Sequence, residues 1–147
     1  MKTILFILTV VFTTLSGFAC DCIVYPVESY INKVDYIFTG KVIELLGDLD
    51  STQYIDIPEN RIFFKNKSYI VRVVIIERLK TGQLKNDTLE FDSDYTNCDP
   101  VYELGKSYLF FAEKAKDNKF KMAHCTPWGE IKESAENIEI LRKKMKE

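Results

Sequence analysis

Cys20 and Cys22 stand one residue apart, directly after nineteen residues that carry a single charge. That leader reads MKTILFILTVVFTTLSGFA. Lys2 supplies a positive start, residues 4–12 are apolar but for one threonine, and the small residues Gly17 and Ala19 precede a cut before Cys20. The pattern predicts a secretory signal peptide over residues 1–19, too short and wrongly flanked for a membrane span. No later stretch reaches the roughly 18 consecutive apolar residues that a second span would need. The cleaved chain, residues 20–147, has 128 residues, which suits one domain around one core. All four cysteines, Cys20, Cys22, Cys98 and Cys125, lie within it. An even number in an exported domain points to two disulfides, for which sequence permits three pairings. A bond between Cys20 and Cys22 would be strained, so each is expected to reach a distant partner. Two crosslinks closing loops of that size contribute roughly 4–5 kcal/mol each in the chain-entropy account.

The expected location is therefore extracellular or periplasmic. A lipid anchor is the alternative, because lipoprotein processing also cuts just before a cysteine. Against it, a lipobox wants Leu or a similar residue three before the cut, where this chain has Gly17. Lipidation would also consume the Cys20 thiol and leave an odd number of cysteines. A membrane partner is expected only if Cys20 is lipidated.

Charge and side-chain inventory narrow the function. Without Lys2 there are 19 basic and 22 acidic side chains, a net of −3, which offers no electrostatic footprint for nucleic acid or anionic lipid. The single histidine, His124, adjoins Cys125. Neighbours on a strand point to opposite faces, so they make a poor Cys–His nucleophile pair, and His124 is expected on a strand surface. Acidic residues show no paired-carboxylate spacing, and neither a Gly-rich phosphate loop nor a nucleophile elbow occurs. The Cys-x-Cys and His124-Cys125 could hold zinc or copper, but in an oxidising compartment disulfides are favoured. The sequence reads as a monomeric binding protein without a cofactor, not an enzyme.

Periodicity predicts a mainly β fold. Residues 26–33 (PVESYINK) read as a short helix, with Pro26 near its start and Val27, Tyr30, Ile31 and Val34 at helical spacing. "DYIFTGKVIELL" is a strand in which Gly40 predicts a bulge or sharp bend. Residues 48–60 carry turn formers and read as a long loop. "SYIVRVVIIERL" has apolar residues on both faces, implying a strand covered on both sides. "DTLEFDS", "KSYLFFAE" and "KFKMAHC" are three more strands. Ile131, Ala135, Ile138, Leu141 and Met145 share a helical face, with Ser134 as candidate N-cap and cations at the C-terminal end. Five strands between two helices suggest a small closed sheet, a barrel or a sandwich. The expected core draws on Tyr36 or Ile37, Val71, Val73, Ile75, Leu89, Phe91, Leu109 and Phe111, with the last helix packed outside.

The order of these segments resembles the netrin-like domain. A mature Cys-x-Cys start, then "FTGKVIE", "YIVRVVIIERLKTG", "NCDPVYELGKSYLFFAE", "HCTP" and a final helix carry the likeness across the cleaved chain. Its most specific parts are the Cys-x-Cys and the C-x5-L-G-K-x-Y-L stretch at residues 98–109. The chain looks most like the tissue inhibitors of metalloproteinases, in the branch with the N-terminal domain alone. That resemblance implies a five-stranded OB-type barrel and the pairing Cys20–Cys98 with Cys22–Cys125. It also implies that the α-amino group and carbonyl of Cys20 chelate the catalytic zinc of a target protease, with Asp21 pointing into the pocket beside it. Ile23, Val24, Thr96 and Asn97 would complete the contact ridge beside Cys22. The inhibitors carry a small neutral residue where this chain has Asp21. The alternative within the family is a non-inhibitory interaction module, with or without a lipid anchor at Cys20.

An amine and a carbonyl that close a five-membered ring form a bidentate ligand, able to displace the water at an open zinc position. The amine must shed its proton, which an α-amino pKa near ~7.7 permits around neutral pH. Crosslinks that hold this ligand before binding reduce the entropy lost on association.

Overall fold

Three runs rich in β-branched and aromatic residues, and one stretch that alternates Leu89 and Phe91 with polar residues, form the four long strands. The computed structural model describes residues 22–47, 68–80, 82, 84, 86–94, 101–114 and 120–146. The long strands are β1 (Tyr36–Leu46), β2 (Ser68–Lys80), β3 (Thr88–Asp94) and β4 (Ser107–Lys114). Two short strands follow, β5 (Phe120–Met122) and β6 (Gly129–Glu130), and then one helix, α1 (Ala135–Lys144). The strands neighbour one another in the order β1-β2-β3-β5-β4, and β4 pairs back with β1, so five strands close into a barrel. The closure is mixed: β3 and β5 run parallel and pair at Phe91 and Phe120, while the other pairings are antiparallel. Closure pairs each of the five on both sides and removes open edges. The two-residue β6 adds to β4 through Tyr108–Glu130 and Leu109–Gly129.

Two apolar clusters share the barrel wall. Inside lie Phe38, Val42, Val71, Val73, Leu89, Phe91, Tyr108 and Phe110, among others. The Phe38 and Phe110 rings stack with centroids 5.1 Å apart. On the flank, Ile37, Leu109 and Phe111 face outward and meet Val27, Tyr30 and Val34 from the N-terminal segment and Ile138 and Leu141 from α1. Val71, Val73, Ile75, Leu89 and Phe91 therefore occupy the expected interior. Of Tyr36 and Ile37, the half-buried Tyr36 packs against the barrel cluster, whereas Ile37, Leu109 and Phe111 are buried in the flank cluster and Phe38, Tyr108 and Phe110 fill the barrel. Where both faces of a strand are covered, the sequence pattern does not distinguish them. The doubly covered strands are β1 and β4. In β2 the second face is covered only in part: Leu79 packs against the flank cluster, while Ile76 is 57% exposed, short of the expected cover on both sides.

Gly40 bends β1 as its position predicts. The β1–β2 register shifts between Thr39 and Gly40, one of three such irregularities along the strand. A Cβ at residue 40 would run into Val73 Cγ1 and lie 3.1 Å from the Val74 carbonyl oxygen.

The terminal elements are shorter or differently capped than the sequence suggests. The N-terminal segment forms one 3-10 turn, Val27–Tyr30, followed by turn residues rather than a helix over residues 26–33. β5 ends at Met122, so His124 and Cys125 lie in a turn, not on a strand. Ser134 occupies the N-cap position of α1 without making a side-chain capping bond. Its Oγ instead lies over Gly129, where an added Cβ would approach it to 2.8 Å. Ile138 and Leu141 are buried, whereas Met145 is exposed and Ile131 precedes the helix. Arg142 locks α1 to β2: Nε and Nη2 donate to the two Glu77 carboxylate oxygens at 2.9 and 2.7 Å. That paired hydrogen bond holds the Glu77 carboxyl below the usual glutamate range.

Candidate functional site

Residues 22–26 have no regular secondary structure and lead into the 3-10 turn through Pro26, whose φ of −51° and ψ of 141° keep the chain extended. A segment this short holds a direction only if something outside it is fixed. Three attachments supply that. A disulfide joins Cys22 to Cys125, with Cα atoms 5.1 Å apart. The Tyr30 hydroxyl donates to the Cys125 carbonyl at 2.6 Å and accepts from the Tyr25 N–H at 3.1 Å. The Lys80 ammonium at the end of β2 donates to the carbonyls of Ile31 and Val34, at 2.6 and 2.5 Å, which fixes the exit of the turn. Beneath them the Tyr30 ring packs on Phe111 of β4, centroids 5.7 Å apart, so the strap is seated on the barrel wall.

Cys125 contributes an unusual backbone. Its φ is +53°, the left-handed region that few residues besides glycine and asparagine adopt. The bridge to Cys22 and the hydrogen bond from Tyr30 hold it there.

The strap presents apolar side chains to solvent. Ile23 is 65% exposed, Val24 54% and Tyr25 51%, three in succession. Lys33 Nζ lies 4.8 Å from the Tyr25 ring centroid and so caps one face of that ring. Exposed apolar side chains on a crosslinked base are what a protein-docking edge requires.

Of the expected site residues, Cys22, Ile23 and Val24 are brought to this edge. Cys20, Asp21, Thr96, Asn97 and Cys98 lie outside the described residues, as do residues 1–19 and the loop at 48–60. His124 is exposed beside the bridge, and the bonded Cys125 has no thiolate to offer. Sequence reading placed Tyr30 only on an apolar face and passed over Tyr25 and Lys33. The role of a tyrosine hydroxyl depends on a carbonyl 95 residues away, which no local pattern records.

A second exposed apolar group lies near the start of β4, where Trp128 sits 6.3 Å from the Tyr102 ring and 6.5 Å from Tyr108. Lys106 beside it pairs with Glu103 and Glu130 at 3.1 and 2.6 Å, and these hydrogen bonds raise its pKa. Among the described residues, no three His, Cys, Asp or Glu side chains converge as a metal site, and no helix is long and apolar enough to cross a membrane. The disulfide is compatible with an extracellular location. The sequence matches no family model and no curated protein.

Proposed function

We propose that this chain is a secreted, netrin-like OB-type barrel that inhibits a zinc metalloprotease, with the Cys20 amine and carbonyl as ligands for the protease's zinc. The observation that carries the reading is the Cys22–Cys125 bridge, which anchors the start of an exposed apolar ridge, Ile23 to Tyr25, that begins three residues after the proposed chelating Cys20. The strand order, with its single parallel closure between β3 and β5, supports the OB-type assignment. Zinc chelation takes the position of the attacking water, and the ridge supplies the buried contact that makes binding specific. The pairing Cys20–Cys98 would hold the chelating residue as rigidly as its neighbour. Asp21 would enter the pocket beside the zinc, which suits a target carrying a cation there, since an unpaired carboxylate costs several kcal/mol on burial.

Inhibition of a panel of zinc proteases by three proteins tests this: the cleaved form starting at Cys20, the same form with one added N-terminal residue, and Asp21→Thr. The added residue converts the amine into a peptide N–H and should abolish inhibition without unfolding the barrel. Asp21→Thr should strengthen inhibition of proteases with apolar pockets and weaken it where an Arg or Lys lines the pocket. Equal inhibition by the extended and cleaved forms would defeat chelation. Inhibition by none would favour a non-inhibitory interaction module.

A further inference from the structure

The Tyr30 hydroxyl touches both the ridge and the anchor of the crosslinked strap. It sits on a side chain only 5% exposed, whose ring is already fixed against Phe111. From that seat it accepts the Tyr25 N–H at the far end of the exposed ridge and donates to the Cys125 carbonyl at the near end. The disulfide alone restrains one point, Cys22, and a chain pinned at one point can still swing. A second restraint three residues on, at Tyr25, fixes the direction of the intervening Ile23 and Val24. The same hydroxyl steadies Cys125 in its left-handed conformation, so the anchor and the ridge are oriented by one group.

We propose that Tyr30 is the positioning residue of the docking edge, its hydroxyl holding Ile23, Val24 and Tyr25 in their binding orientation before a partner arrives. This rests on the protease-inhibitor reading for the identity of the partner, a zinc metalloprotease, and on the geometry alone for the positioning. Pre-orientation lowers the ordering cost at association, so loss of the hydroxyl weakens binding while every contacting side chain remains.

Tyr30→Phe removes the hydroxyl and keeps the ring against Phe111. Amide hydrogen exchange in the free protein is compared with inhibition of the protease that the cleaved form inhibits best. The Tyr25 amide should exchange roughly three- to tenfold faster, the range expected for one lost hydrogen bond. Amides in the barrel, such as those of Val42 and Phe110, should change less than Tyr25. Inhibition should weaken by a comparable factor. A purely structural role would instead accelerate Tyr25 and the barrel amides together, and that result would overturn the inference. So would faster local exchange with unaltered inhibition. If the cleaved form inhibits no protease, the inhibitor reading fails on its own, and the exchange comparison still decides whether Tyr30 orients the ridge.

Discussion

Gly40 sits where the barrel leaves no room for a side chain. Its missing side chain leaves room for Val73 Cγ1, the Val74 carbonyl and the Phe110 ring, three groups from the two strands that flank β1. Gly40→Ala should destabilise the protein by about 1–3 kcal/mol through overpacking, measured by denaturant unfolding. Val73→Ala, at a fully buried position, should cost about 1–3 kcal/mol by leaving a cavity. The two changes share one contact, so the double variant should lose at least about 0.5 kcal/mol less than their sum. Strict additivity would mean that the backbone shifts instead of the valine yielding. That a glycine in a β-branched run marks a bend was legible in the sequence. Which atoms close over it was not, because they come from partners distant along the chain.

At the scale of elements, the four long strands and α1 were readable because β-branched and aromatic runs, and a 3.6-residue apolar stripe, are local signals. The last residues of "KFKMAHC" were misread because nothing in them announces the left-handed backbone of Cys125 that turns the chain out of the strand. The docking of α1 on β2 through Arg142 and Glu77 was equally invisible, being an interaction 65 residues apart. It has a consequence for acid stability. Pairing depresses the folded-state pKa of Glu77, so its contribution is present above the ordinary glutamate value, ~4.3, and is lost as pH falls through the depressed one. Glu77→Gln should therefore show a smaller loss of stability below about pH 4 than the unmodified protein, followed by unfolding midpoints across pH. Identical acid limbs would show that solvent screens the pair completely.

For the whole molecule, the Cys22–Cys125 bridge spans 103 residues and ties the N-terminal strap to the end of the barrel. Replacing both cysteines by alanine should lower stability by up to about 4–5 kcal/mol, read from the denaturant midpoint, with the barrel still forming. A loss under about 1 kcal/mol would place the bridge's value in orienting the strap alone. The candidate edge was only partly legible: Cys22, Ile23 and Val24 could be named from the family resemblance, whereas its support by Tyr30 and Lys80 exists only once the chain has closed. Phe110 and Phe111 show what closure demands of inheritance. They are adjacent in sequence and serve opposite sides of one wall, the first inside the barrel and the second beneath Tyr30. A single-residue insertion or deletion ahead of them in β4 would turn Phe110 outward and Phe111 inward and send Leu109 and Ala112 to the opposite sides, so both clusters would have to repack at once. The strand's length is thus constrained twice over, and lineages carrying this fold should vary in length at the loops while β4 keeps its residue count.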